Sequence, residues 1–513
     1  MKKKGILRLL NVVFLSLLVL VTSCSGSTPY LHLTEVPGTL PYEEISPSSV
    51  GLLNPDAEVR GVWIATVGNI NFPSKKGLSE KALKKELDAI VQNCEELGLN
   101  TIFFQVRPAA DALYASKLFP ASEYVSGVQG KSADGGFDCL EYLIDIAHGK
   151  KINVHGWVNP LRVTYGSAKY PKTDISELSA GHIARKNPDW VIPYADGKLY
   201  FDAGNPSVRA YIAEGVREIV KNYAVDGIVF DDYFYPYPVS GSEFDDSNSF
   251  SLYGGGNRDD WRRENINSLV KDCYNAVKGT RRTCLFGISP FGIWQNDDGK
   301  NGGSATSGLE AYNSLYCDAL AWVKGGYVDY ISPQLYWRFD TSAAPYDILS
   351  DWWNAVLDGT SVKLLISHGV YKYDEWEDPY SELKNQVEYS REALTYRGSV
   401  LYGYAVIEND IKGIRSEISE LFENEIIYSD TFTNYKKLTF TGPPSGGTTN
   451  LSSIQLKGES DPTLPLTFMG KKISRDKNGS FSVALPLTAG ENTFTFICGE
   501  EEVKIKIIKT EEK

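Results

Sequence analysis

Val225–Pro238 reads VDGIVFDDYFYPYP. An apolar run, Gly227–Phe230, ends abruptly in Asp231 and Asp232, and a cluster of aromatics and prolines follows at once. A short apolar run bounded in this way predicts a strand buried on both faces. Folding does not need two carboxylates and three tyrosines just past the end of such a strand. The plain alternative is a solvated loop. In α/β proteins ligands sit beyond the carboxyl ends of the parallel strands, which makes this stretch the first candidate for a site.

Working outward, the same pattern recurs. Apolar strand-like runs are expected at Glu58–Val67, Asn100–Val106, Lys151–Val158, Val225–Asp232, Cys284–Ile288, Val328–Leu335, Lys363–Val370 and Val400–Val406. Between and after them fall helical periods at Leu78–Leu97, Phe137–His148, Pro206–Tyr223, Trp261–Val277, Tyr316–Lys324, Pro345–Leu357, Leu383–Thr395 and Ile411–Phe422. Eight strand-then-helix units over Glu58–Phe422 predict an α/β fold, a (β/α)8 TIM barrel, with its extra length in the loops after the strands. An open doubly wound sheet would favour a glycine-rich phosphate loop after an early strand, and none is present.

Past Asp430 the texture changes. Short alternating runs at Lys436–Thr441, Ser452–Lys457, Leu464–Met469, Phe481–Leu487, Asn492–Cys498 and Glu502–Ile508 predict a small all-β sandwich domain of immunoglobulin or fibronectin type. The expected domains are 57–430 and 436–513, joined across Tyr428–Lys437. The smaller one carries few obvious surface aromatics, which favours bracing the barrel over binding a glycan.

The 513 residues carry a formal net charge of -13 and no basic stripe, which argues against a nucleic-acid partner. Aromatics make up 12% of the chain, enough for a stacking surface as well as a core. Lys2–Lys4, the apolar Leu9–Val21 and Val21-Thr22-Ser23-Cys24 read as a secretory signal. It resembles a bacterial lipoprotein signal, in which residues 1–23 are removed and Cys24 is lipidated. Residues 24–56 would be a tether and lead-in. The expected location is the cell envelope, with the chain lipid-anchored in the periplasm or outer membrane. The remaining cysteines form no close pair and read as buried free thiols, although a Cys273–Cys284 bridge is conceivable. Only 5 histidines are present, without HExxH, so no metal and no cofactor are expected. No GxSxG elbow points to an esterase or peptidase.

The pattern places Arg107, His155, Trp157, Asn159, Asp231, Asp232, Tyr233, Tyr235, Ser289, Trp294, Gln334, Tyr336, Trp337, His368, Tyr371 and Glu408 on one face. Carboxylates, amides and aromatics suit a neutral, hydroxyl-rich ligand. Glycosidic cleavage needs an acid for the leaving oxygen and a group that attacks or stabilises the anomeric carbon. Side chains alternate along a strand, so either one of Asp231 and Asp232 is structural, holding Arg107 or a backbone turn, or both lie past the regular strand. Glu408 is the best distant carboxylate.

RGVWI at Arg60–Ile64, IFFQVRP at Ile102–Pro108, VHGWVNP at Val154–Pro160, DGIVFDDYFYP at Asp226–Pro236 and ISPQLYW at Ile331–Trp337 together resemble the bacterial glycosyl hydrolase-like family 10. The resemblance spans about residues 57–425 in the correct order. It implies a (β/α)8 glycoside hydrolase, in a family that includes exported lipoproteins and at least one branch acting on peptidoglycan strands stripped of peptides. A weaker resemblance joins the Asp231-Asp232 motif and Tyr336 to family 18 chitinases, where the substrate's own N-acetyl group is the nucleophile. The glutamate that ends that motif is missing here. The expected roles are Asp232 as acid/base, Asp231 as positioning group, and Glu408 as reserve nucleophile or base. Tyr336, Gln334, Asn159 and His155 would orient the sugar. Arg107 would hold Asp231 or a substrate carboxyl such as a lactyl group. Trp157, Trp294 and Trp337 would stack, with Tyr233, Tyr235 and His368 completing the binding face. The expected partner is a polysaccharide, an N-acetylhexosamine glycan such as peptidoglycan. The alternatives are a non-catalytic carbohydrate-binding lipoprotein and a hydrolase of plant or host polysaccharide.

Overall fold

The computed structural model describes residues 57–428, 438–441, 445–460, 465–475, 479–498 and 501–510. The expected signal, Cys24 and the tether lie outside the described residues, as does most of the Tyr428–Lys437 junction. Eight parallel strands form a closed ring. They are β1 Val59–Ile64, β2 Thr101–Arg107, β3 Asn153–Val158, β4 Gly227–Phe230, β5 Leu285–Ile288, β6 in two pieces (Tyr330–Ile331 and Gln334–Leu335), β7 Lys363–His368 and β8 Tyr396–Leu401. Closure is direct, because β8 pairs with β7 (Ser367 beside Val400) and with β1 (Val62 beside Leu401).

Eight helices follow the strands: α1 Glu80–Glu96, α2 Cys139–His148, α3 Pro206–Asn222, α4 Arg258–Thr280, α5 Ala319–Gly325, α6 Tyr346–Leu357, α7 Pro379–Arg391 and α8 Ile414–Leu421. Local chemistry sets their starts. Ser79 caps α1 by accepting from Ala82 N, and Asn205 caps α3 with Pro206 in the first turn. The apolar stripe of α1 (Leu83, Leu87, Ile90, Val91, Cys94) is buried against the outside of the barrel.

Alternation along the strands sorts side chains into two cores. Outward residues such as Ile102, Phe104, Ile228 and Phe230 pack with the helices. Inward residues, among them Trp63, Phe103, Trp157, Val229, Tyr330, Leu365 and Val400, fill the barrel in layers. Glycines make room for the largest of them. A Cβ on Gly287 would lie 2.1 Å from the Tyr330 ring, and one on Gly227 would lie 2.5 Å from His155 Nδ1.

Two strand expectations shift. The eighth strand was expected at Val400–Val406 but runs over Tyr396–Leu401, and the chain then turns into a short helix, Tyr404–Glu408. The sixth is interrupted at Ser332-Pro333, where proline offers no amide hydrogen to the ladder. Cys94, Cys139, Cys273, Cys284 and Cys317 are buried free thiols, so Cys273 and Cys284 form no bridge, and Cys498 is buried as well.

The C-terminal region is strand-rich. Leu438–Thr441, Ser453–Ser460 and Ser480–Pro486 form one sheet, and five strands from Gly447–Thr449 to Glu501–Lys509 form another. Leu456, Val483, Phe496 and Ile507 share one core between them, with Phe440 from the first sheet 4.9 Å from Phe496 of the second.

Candidate functional site

The inward alternation that builds the barrel core also builds the floor of a cavity at the strand ends. Trp63 of β1 and Trp157 of β3 meet edge to face at 5.1 Å above the Phe103–Tyr330 layer. Trp63 Nε1 donates to Ser367 Oγ (3.1 Å), which fixes its ring. Above this floor opens a cavity of about 530 Å3. Its walls are Ile70, Asn71, Tyr233, Tyr237, Phe291, Tyr336, Tyr371, Tyr402 and the Gly403–Val406 turn, and Asp231, Asp232, Ser289 and Gln334 supply polar groups.

Regular pairing of β4 stops at Phe230, so the alternation rule no longer separates the next two residues. Asp231 and Asp232 therefore both line the cavity, each only 3% exposed. Asp231 Oδ2 accepts from Trp157 Nε1 (2.9 Å), and Asn159 Nδ2 donates to both of its oxygens (3.0 and 3.1 Å). Asp232 accepts from Tyr237 Oη and from Gln334 Nε2 (3.1 Å), and the same Gln334 nitrogen donates to Ser289 O. Burial pushes Asp231 up to about 6. The Arg162 guanidinium opposes that rise, the neighbouring Asp232 adds to it, and the Trp157 and Asn159 donors oppose it. Burial also raises Asp232, against its bonds from Tyr237 and Gln334. Two adjacent buried carboxyls titrate as a pair and can hold one proton between them.

Aromatic packing shapes the far wall. Tyr336 stacks on Tyr402 with centroids 5.5 Å apart and planes 8° off parallel, and Tyr371 meets both edge-on. Tyrosine faces beside carboxylates and amides are the groups that hold pyranose rings and their hydroxyls.

Of the expected residues, the cavity gathers Asp231, Asp232, Trp157, Tyr233, Ser289, Gln334, Tyr336 and Tyr371, with Asn159 behind Asp231. The rest are placed elsewhere. His155 points inward one layer too deep; it bonds Tyr330 Oη (2.8 Å) beneath the floor, and burial lowers it to about 4. His368 points outward, between Gln386 of α7 (3.1 Å) and Ser399 (2.8 Å), as a group of the helix-facing core. Arg107 was expected to hold Asp231 or a substrate carboxyl. A shift of register between Gln105 and Arg107 turns it toward α3, where it lies 4.3 Å over Phe119. Tyr235 is buried against Phe244 and Tyr316. Trp294 stacks on Trp352 at 5.7 Å, and Trp337 stands behind Phe291. Glu408 ends the short helix after β8, exposed and outside the cavity lining.

The sequence reading passed over Trp63, Asn71, Tyr237, Tyr402 and Arg162. Trp63 is recoverable from inward parity on β1, and Tyr237 lies within the opening stretch. Arg162 sits in an irregular segment that carries no periodic signal.

The family model described as glycosyl hydrolase-like 10 matches residues 58–382. The chain is 40% identical over 373 residues to glycosyl hydrolase YngK of Bacillus subtilis (strain 168), covering 71% of each protein. It is 33% identical over 416 residues to glycosyl hydrolase DigH of Escherichia coli (strain K12), covering 76% of this chain and 91% of that one. Among solved structures it is similar to alpha-L-fucosidase isoenzyme 2 from Paenibacillus thiaminolyticus, with a TM-score of 0.41 and 13% identity over 71% of this chain and 48% of that one, a likeness too distant to carry an argument.

Proposed function

The chain belongs to the glycosyl hydrolase-like 10 family and is a glycoside hydrolase, and from that premise we propose that it cleaves an N-acetylhexosamine glycan, peptidoglycan strands above all, with the substrate's acetamido group as nucleophile. One observation carries the reading: among the described residues Asp231 and Asp232 are the only carboxylates lining the cavity, and they leave the same strand end in succession. A two-carboxylate mechanism needs groups on both faces of the anomeric carbon. Two consecutive side chains on one wall do not supply that, so the second group comes from the substrate.

In the proposed step the protonated Asp232 gives its proton to the leaving glycosidic oxygen as the C1–O bond breaks. The acetamido carbonyl oxygen bonds to C1 from the opposite face, and the ionised Asp231 accepts the acetamido N–H, stabilising the positive charge of the ring that forms. Water then attacks C1 while Asp232 takes its proton, the bond from C1 to the acetamido oxygen breaks to restore the acetamide, and the product keeps its anomeric configuration. The N–H donors of Trp157 and Asn159 and the Arg162 charge favour ionised Asp231 against the burial that raises it to about 6, so the proposed step runs above that pH. The aromatic walls provide stacking for the sugar.

The test is hydrolysis of glycan strands freed of stem peptides, beside a panel of plant and host polysaccharides, with product configuration read by NMR. Retained configuration with N-acetylated strands as the preferred substrate is expected. An inverted product, or full turnover by Asp232→Asn, would sink the proposal. The N-terminal pattern supports a lipid anchor at Cys24 and a place in the cell envelope beside such strands. Metabolic labelling with a fatty-acid analogue should mark the chain and not its Cys24→Ala variant.

A further inference from the structure

Arg107 and Arg162 are buried arginines whose terminal nitrogens take no hydrogen bond among the described residues, and their surroundings differ. Arg107 lies in the helix layer, its terminal nitrogens sealed from solvent without a partner. Arg162 lies in the loop after β3, 4% exposed, and its Nε donates to Pro108 O (2.9 Å). Among the described residues its terminal nitrogens take no hydrogen bond and no ion pair, yet they are not among the sealed, unpartnered atoms. Its guanidinium stands 5.1 Å from the ring of Tyr233 and 5.6 Å from that of Tyr165. Tyr233 lines the cavity and Tyr165 lines a smaller polar cleft of about 150 Å3, and Arg162, in the lining of neither, packs against both rings.

The fork is held on every side except its tip. The Nε bond and the tyrosine faces fix the plane, and the Arg162 amide is tied to Asn159 Oδ1 (2.9 Å), the residue that also holds Asp231. A preset guanidinium with free terminal N–H groups matches a carboxylate in two parallel hydrogen bonds. No described carboxylate of the chain fills that position. The geometry points to Arg162 as the group that recognises a carboxylate borne by the sugar in or next to the cavity. Resting on the N-acetylhexosamine reading, this narrows the substrate to a strand whose sugars carry a free acid, such as the lactyl ether of a muramyl residue. It separates such strands from chitin, which has the acetamido group without the acid. The positive charge also offsets the repulsion that a substrate acid would meet from Asp231 and Asp232.

The test is calorimetric binding to Asp232→Asn protein, which keeps ligand intact. The ligands are a muramyl-containing tetrasaccharide with free lactyl carboxyls, the same compound as its methylamide, and a chitin tetrasaccharide. The free acid should bind at least tenfold more tightly than the methylamide. Adding Arg162→Gln should abolish that preference, and Arg162→Lys, which keeps the charge without the fork, should restore part of it. With the active enzyme, the ratio of kcat/KM for free-acid to amidated strands should fall with Arg162→Gln through KM, and the acidic limb should move up for both substrates alike because Asp231 loses a neighbouring positive charge. Equal binding of acid and methylamide, or a preference that survives Arg162→Gln, overturns the assignment while the N-acetylhexosamine reading stands. Binding of the chitin oligomer alone overturns the muramyl substrate and this assignment together. Binding of none of the three overturns the glycan reading itself.

Discussion

Strands β4 and β8 both run toward acids, and the fold treats them in opposite ways. After Phe230 the chain sets Asp231 and Asp232 directly on the cavity wall. After Leu401 it turns at Gly403, whose φ of 133° belongs to the region that favours glycine, and where a Cβ would come 2.5 Å from Tyr371 N. The short helix that follows carries Glu408 out to the exposed surface and brings Ala405 and Val406 to the cavity beside Tyr402 instead. An acid a few residues past an apolar run is thus no guide to chemistry. What decides is whether the chain continues straight off the strand or turns.

Breaking the β4 side of that contrast should have the largest effect. Asp232→Asn removes the proton donor and should lower kcat on peptide-free strands by about 10²–10⁴-fold, the usual worth of general acid–base catalysis. Circular dichroism should show the fold intact.

Asp231 comes next, through pH. Activity needs it ionised, so kcat/KM should rise with pH through about 6 and fall again where the pair loses its shared proton. Asp231→Asn should remove the acidic limb and leave the alkaline one. Stability follows the same group with a definite sign. Burial raises the folded-state value from 3.8 to about 6, so between those values the folded chain holds a proton the unfolded chain has released. Wild-type stability is therefore greatest at and below about 4 from this group and falls as pH rises toward 6. Thermal melts of Asp231→Asn across that window should lack this part of the fall.

Tyr237→Phe should act more gently. Its hydroxyl donates to Asp232 and favours the ionised form. Without it Asp232 keeps its proton to higher pH, so the alkaline limb should move up, while losing the bond that orients the acid should cost about tenfold in kcat on the plateau. An unmoved limb would detach Tyr237 from the acid.

The contrast also explains how much was legible in the residues. Strand and helix periods carried the barrel, because two-sided burial writes long apolar runs and amphipathic stripes. Parity carried part of the site: Trp157 and Asp231 follow inward positions on β3 and β4. The same rule would have sent His368 outward, since Leu365 and Ser367 face in. It places His155 inward but cannot say that Trp157 lies above it. Arg107 escaped because a register shift near the end of β2 reverses parity locally. Arg162 and Tyr402 are positioned by loop and turn geometry, for which local pattern holds no period to read.

The smallest effect belongs to the β8 side. Glu408 is exposed at the end of its helix, and the lift in its titration comes from burial and the nearby Glu86, not from the cavity. Glu408→Gln should leave kcat and KM within about twofold of wild type and Tm nearly unchanged, as for surface substitutions away from special features. The comparison is sharpest when Glu408→Gln and Asp232→Asn are assayed side by side on the same strands. A large loss with Glu408→Gln would mean that the turn at Gly403 refolds around the bound glycan and swings this acid into the second position. The acetamido group would then not be needed as nucleophile, and two carboxylates would flank the sugar after all.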